Sequence, residues 1–178
     1  MMTPEEQLNY LTDGADAVLP EGELIERLRS GRPLRAKLGV DPTAPDVTLG
    51  WAVVFDRLRR FQECGHTAVL IVGDFTAQVG DPSGKNETRR RLGADEVGGY
   101  VGGVIDTIKE LLLPENLEIR HNSEWLGEMH MHDVLDLTSQ FTIARIMDRE
   151  DFSNRWEAHE AISMLSLIHI SEPTRLGM

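Results

Sequence analysis

Apolar and polar positions in the first thirty residues follow a helical period, then the pattern changes. Thr3 with Pro4, Glu5 and Glu6 has the make-up of a capped, acid-biased helix start. A second helix is predicted over Glu21 to Ser30, with Leu24, Ile25 and Leu28 on one side and Gly31 and Pro33 as stops. Residues 1–33 are therefore expected to form a helical covering segment without chemistry of its own. From Leu34 the period drops to two. Arg35 to Val40 reads as a strand with Ala36, Leu38 and Val40 on one face. The loop DPTAPDVTLG follows, then a helix over Trp51 to Glu63 in which Trp51, Val54, Leu58 and Phe61 recur at helical spacing. Gly65 stands where a helix-ending glycine belongs, and Thr67 to Val72 is a continuous aliphatic run, the pattern of a strand covered on both faces.

Strand, loop, helix, turn and strand make a βαβ unit with a right-handed crossover. A Gly-rich loop is predicted over 73–85 and a helix over Ala94 to Leu113, although Gly98, Gly99, Gly102 and Gly103 each weaken it by up to about 1 kcal/mol relative to alanine. Leu117 to Arg120 reads as a third strand. Asn122 and Ser123 can cap a short helix beginning at Glu124, and further helices are predicted over His132–Thr138 and Gln140–Arg149. The expected fold class is α/β, a Rossmann-like doubly wound parallel sheet over residues 34–165 that is incomplete.

Composition narrows this picture. The chain has 178 residues, 40% hydrophobic and 27% charged, the proportions of a globular domain. Its longest strongly apolar run, Ala68 to Val72, is far short of the ~20 residues that span a bilayer, so no membrane partner is expected. The single cysteine, Cys64, excludes an intramolecular disulfide and fits a reducing, cytoplasmic location. A net charge of −12 argues against nucleic-acid contact over the whole surface. The exception is local: Lys85, Arg89, Arg90 and Arg91 cluster just after the Gly-rich loop.

Two loops carry candidate chemistry. The first runs from Gly39 through Asp41-Pro42-Thr43 to Thr48-Leu49-Gly50-Trp51, after the first strand and into a helix N-terminus. Ligands of open α/β sheets bind at that edge, and free N–H groups there favour phosphate. Gly50 would let a nucleotide lie against the backbone; a plain surface loop with a proline-fixed turn carries about equal weight. The second, Gly73 to Lys85, ends in Gly80-Asp81-Pro82-Ser83-Gly84-Lys85. It is a poor P-loop: three residues separate the glycines where four are needed, and Asn86 follows the lysine in place of Ser or Thr. Asp81 suits an ammonium group better than a phosphate.

Together the loops resemble the class I aminoacyl-tRNA synthetases. Thr48-Leu49-Gly50-Trp51 stands at the HIGH motif, and Val40-Asp41-Pro42-Thr43-Ala44 with Gly80 to Lys85 is similar to the tyrosyl members in particular. Phe61-Gln62 and Gly65-His66 fit the same pattern. The resemblance is strong over about 34–91 and weaker to Leu165. It implies activation of tyrosine by ATP, as its Mg2+ complex, to tyrosyl-adenylate, followed by transfer to tRNA(Tyr), in a protein that is usually a homodimer. It implies that Asp81 holds the tyrosine ammonium and that Thr76 lines the same pocket. Leu38, Gly39, Asp41, Thr43 and Gly50 fall on the ATP side, and Lys85 and Arg89 grip the leaving pyrophosphate. Three positions depart from the family. Thr48 and Trp51 replace two histidines that contact ATP, and Lys37 replaces a tyrosine that contacts the substrate phenol.

Other candidates are weaker. His121, His130 and His132 are more simply surface histidines than metal ligands, and no metal is expected. Trp125 and Trp156 are expected to pack, and Asp148, Glu150 and Asp151 to form a solvated helix end. After Leu165 the string SLIHISEPTRLGM resembles translated adapter read-through, so residues 166–178 are expected to be non-native and the chain to be an inactive fragment of an active ligase. The alternatives are a non-catalytic nucleotide or amino-acid binding module derived from the same fold, and, less favoured, a P-loop-like nucleotidase.

Overall fold

Three parallel strands, β1 (Arg35–Val40), β2 (Thr67–Val72) and β3 (Leu117–His121), form a sheet in the order β1-β2-β3. The computed structural model describes residues 2–44, 47–79, 93–148, 150–160 and 162. The register pairs Val40 with Val72 and Val72 with His121, so the three strands end together. Lys85, Arg89 and Asp81, and the expected tail at 166–178, lie outside the described residues.

The helices α1 (Pro4–Thr12), α2 (Glu23–Arg29), α3 (Leu49–Glu63), α4 (Asp74–Val79), α5 (Ala94–Leu111), α6 (Ser123–Leu126), α7 (Met131–Ser139), α8 (Ile143–Met147) and α9 (Glu150–Glu157) complete the order. β1 leads through α3 to β2, and β2 through α4 and α5 to β3. Both crossovers step the same way, and α3 and α5 cover one face. That face buries Ala36, Val40, Ala68, Leu70 and Val72 against Phe55, Leu58, Val104 and Ile108. One-way winding of this kind is one half of a doubly wound sheet. The opposite face presents Lys37 in register with Val69 and Glu118, and Gly39 in register with Ile71 and Arg120.

The polar face of α3 joins the other elements. Arg57 and Arg60 donate to the last carbonyls of α1, at Leu11 (2.8 Å) and Tyr10 (3.1 Å). Arg59 donates to Leu111 O at the end of α5 (3.0 Å). Buried Gln62 donates to the carbonyls of Leu113 and Glu115 and accepts from Leu113 N–H, which fixes the entry to β3. The end of α3 is a Schellman turn: Gly65, at φ +85°, donates to Gln62 O, His66 N–H donates to Phe61 O, and the rings of Phe61 and His66 meet at 6.0 Å.

Several boundaries differ from the sequence reading. Of the expected loop over 73–85, residues Asp74–Val79 form α4, a stretch that holds no glycine and has Asp74 in its first turn, while 80–85 lie outside the described residues. The expected helix over Gln140–Arg149 is shorter: Thr142 breaks it from α7 by accepting Arg145 N–H at 3.3 Å, and α9 follows separately. Trp156, expected to pack, is exposed on α9.

Candidate functional site

The carboxyl ends of the three strands are tied together before any side chain acts. Gly73 N–H donates to Val40 O at 2.8 Å, and Asn122 N–H donates to Val72 O at 2.9 Å. After β1 the chain turns through buried Pro42, with Thr43 N–H closing on Asp41 O at 2.8 Å. Asp41, Thr76 and Asn122, one from the segment that follows each strand, thereby converge.

Thr76 is buried, and its hydroxyl donates to Asp41 Oδ1 at 2.8 Å. The approach depends on Gly73. A Cβ there would stand 1.8 Å from Asp41 Oδ1 and 2.6 Å from Thr76 Oγ1, distances no side chain tolerates. Sequence reasoning had Asp41 and Thr76 in separate roles; the fold makes them one unit.

Asn122, Asp74, His121 and Ser123 complete the cluster, and the sequence reading assigned none of them to it. Asn122 occupies the N-cap position of α6, yet its side chain turns to α4, accepting Phe75 N–H at 2.9 Å and donating to Thr76 Oγ1 at 2.9 Å. Asp74 accepts from Ser123 N–H (3.0 Å) and Ser123 Oγ (2.7 Å), and lies 3.2 Å from His121 Nδ1. Burial alone would raise the Asp74 pKa and is the largest single influence. The Ser123 hydroxyl and amide, with His121, together outweigh it and hold the carboxyl below its ordinary value. Only the HNSEW string hinted at this, through polar residues directly after a strand.

The remaining expected residues divide. Lys37 and Gly39 lie on the sheet face away from α3, and nothing stands within 4 Å of a Cβ built on Gly39, so the surface there is open. Lys37 is half-buried without a hydrogen-bond or ion-pair partner among the described residues, and burial lowers its pKa. Leu38 packs against the core, which leaves its backbone for any ligand. Thr43 is half-buried beside Asp41. Thr48 is exposed at the N-cap position of α3 and makes no capping bond through its side chain. Gly50 is exposed in the first turn of α3, with only Thr48 Oγ1 near a would-be Cβ, at 3.8 Å. Trp51 packs on the core and stacks on Phe55 at 6.1 Å.

The three histidines singled out do not gather: His121 pairs with Asp74, His132 with Asp136 on exposed α7 at 3.1 Å, and His130 precedes that helix. Among the described residues no group of three or more His, Cys, Asp or Glu is arranged to hold a metal ion. No described helix is long and apolar enough to cross a membrane.

With this geometry in view, the similarities are specific. The family model described as "tRNA synthetases class I (W and Y)" matches residues 29–170. The chain is 45% identical over 169 residues to a tyrosine–tRNA ligase of Salinibacter ruber, covering 93% of the chain and 41% of the relative. It is 44% identical over 168 residues to that of Thermotoga maritima, covering 94% and 42%. It thus spans about two-fifths of the length of the curated relatives it matches. Among solved structures, the tyrosyl-tRNA synthetase of Aeropyrum pernix superposes with a TM-score of 0.68 at 19% identity, over 94% of this chain and 48% of that one. The L-tyrosine complex of the Archaeoglobus fulgidus enzyme gives 0.65 at 23% identity, over 83% and 45%. These two likenesses concern the fold.

Proposed function

Since the chain belongs to the class I tRNA synthetases of the tryptophan and tyrosine group, we propose that it carries the first part of the amino-acid-activating site of a tyrosine–tRNA ligase. The observation that carries the reading is the Thr76–Asp41 hydrogen bond at the joined ends of β1 and β2, beside an open helix N-terminus. The amino acid is tyrosine, in line with the name shared by relatives 40–45% identical to this chain.

The reaction needs little covalent help. A carboxylate oxygen of tyrosine attacks the α-phosphorus of ATP, the new O–P bond forms, and the bond to the bridging oxygen breaks with its electron pair leaving on pyrophosphate. A ribose hydroxyl of tRNA(Tyr) then attacks the activated carbonyl and releases AMP. The protein's task is to position the reactants and to face the developing charge with cations. In our reading Asp81 holds the tyrosine ammonium and Lys85 and Arg89 meet the pyrophosphate. Asp41, Thr43, Gly39, Leu38 (through its backbone) and Gly50 line the ATP side, with the α3 N-terminus favouring phosphate. Thr48 supplies a hydroxyl at its mouth, and Trp51 supports that helix turn from within. Lys37 stands at the floor of the amino-acid pocket. Mg2+ arrives with the nucleotide's phosphates, the compartment is the cytosol, and a homodimer is the working state. Exposed Met131, Leu135 and Ile143 on α7 and α8 offer apolar surface for a second copy.

A second reading is a non-catalytic binding module, favoured by the packing of Trp51 into the core at a position where a histidine would face ATP. The test uses a polypeptide extended to the relatives' full length. It is incubated with ATP, pyrophosphatase and labelled tyrosine or tryptophan, and protein-bound adenylate is recovered by gel filtration. Our reading gives tyrosyl-adenylate near one per active site and none with tryptophan. Tyrosine bound without adenylate supports the module.

A further inference from the structure

A hydroxyl has one proton to give, and at Thr76 two partners compete to define where it goes. The answer is set two steps away. Phe75 N–H is a backbone donor shared between Asp74 Oδ1 at 3.0 Å and the Asn122 amide at 2.9 Å; an NH2 turned that way would set donor against donor, so the amide oxygen points to it. The amide nitrogen then faces Thr76 and donates to Oγ1, also at 2.9 Å. With its oxygen receiving that bond, Thr76 directs its own proton at Asp41 Oδ1, 2.8 Å away, while Gly73 O lies farther at 3.3 Å. Asn122 is 2% exposed, so water does not substitute for it. Its backbone hangs from Val72 O, and Asp74 pins both of its chain neighbours, His121 through Nδ1 and Ser123 through its amide and hydroxyl.

We infer that Asn122 is a positioning residue of the activation site: it fixes the direction of the Thr76 hydroxyl and through it the orientation of the Asp41 carboxylate, with Asp74 holding Asn122 in place from either side. This rests on the proposed function, because Asp41 is taken to face substrate. What Asn122 does for the reaction requires a hydroxyl at position 76.

The test is a mutant cycle in the full-length polypeptide, read by tyrosine-dependent ATP–pyrophosphate exchange, with thermal midpoints to show that each variant folds. Asn122→Asp keeps the size and the acceptor for Phe75 N–H but swaps the donor facing Thr76 for an acceptor, drawing the Thr76 proton away from Asp41. Asn122→Ala removes the donor without adding charge. Each is expected to lower exchange roughly tenfold or more, and to do so equally in a Thr76→Ser background. In a Thr76→Val background the further loss should be under about twofold. Equal losses in the serine and valine backgrounds, for both Asn122 variants, mean that Asn122 is only structural and overturn the inference. Absence of exchange by the unaltered polypeptide is a different result: it overturns the proposed function, and the inference falls with it.

Discussion

Gly73 sits under the contact between Asp41 and Thr76, so close that a single added carbon would occupy the space of the Asp41 carboxylate. Asp41 lies in the loop after β1 and Thr76 on α4 after β2, and their 2.8 Å hydrogen bond is possible only because Gly73 has no side chain. Gly73 itself belongs to the sheet edge through its N–H to Val40 O, so it cannot move aside without breaking the join between β1 and β2.

Gly73→Ala should therefore both destabilise the fold and damage the site. Overpacking of this kind costs about 1–3 kcal/mol. A lowered urea midpoint at unchanged slope would match that cost. A midpoint equal to the parent's would show that Asp41 relocates freely, against the description above.

Gln62 makes three hydrogen bonds to the backbone around the entry to β3 while 5% exposed. Gln62→Leu preserves apolar volume but strands those backbone groups, at about 1–3 kcal/mol for each one left buried. Gln62→Glu should be the harsher change: it keeps an acceptor for Leu113 N–H but buries a carboxylate against the carbonyls of Leu113 and Glu115. Equilibrium unfolding of the two variants checks the order.

His66 and Asp74 are among the groups that make stability fall as pH falls. His66 is buried, its Nδ1 accepts Leu34 N–H at 3.2 Å, and its Nε2 has no hydrogen-bond partner among the described residues; burial lowers its pKa. The unfolded chain takes up a proton near the ordinary histidine value of about 6.5, and the folded chain does so only at lower pH. Stability is thus full above that value and declines as pH drops through it to the folded value. Asp74, held below the ordinary carboxylate value, adds a second decline at more acid pH, as its folded pKa is crossed. His66→Gln, which keeps an acceptor for Leu34, should flatten the first decline and leave the second. Asp74→Asn should leave the first decline and reduce the second, to which Glu63 and other lowered carboxyls also contribute.

Thr48 and Trp51 separate binding from packing at the HIGH position. Thr48 is exposed and makes no side-chain cap bond, so Thr48→Ala should stay within about 0.5 kcal/mol of the parent. Any rise in the ATP KM then reports contact with the nucleotide. Trp51→Ala loses its stack on Phe55 and should cost about 2–4 kcal/mol, the lower part of the range for a half-buried ring. Thermal midpoints and exchange kinetics of the pair test this division.

Much of the fold was legible because its signals are local. Alternation at Ala36, Leu38 and Val40, the aliphatic run of β2 and the glycine after α3 each leave a mark within a few residues. The candidate site was legible in part, through motif residues such as Asp41 and Thr76. Asn122 was not, because its partners Phe75 and Thr76 are some 47 residues away along the chain and meet it only once β2 and β3 pair. A polar residue before a short helix reads as a cap, and nothing local says that its side chain turns toward another strand. Helix α4 was hidden for the opposite reason: glycines at its two ends coloured the whole stretch as loop. Trp51 carries two signals at once, since spacing places it on the side of α3 that packs against the core and the motif places it at a position of chemistry.

Tyrosine-dependent exchange of labelled pyrophosphate into ATP, by the polypeptide extended to the relatives' full length, reads whether these strand ends belong to a tyrosine-activating site. Exchange should require tyrosine, fail with tryptophan in its place, and fall at least tenfold on Asp41→Asn or Thr76→Val. Exchange driven equally by tryptophan, or undiminished by both substitutions, would contradict that assignment.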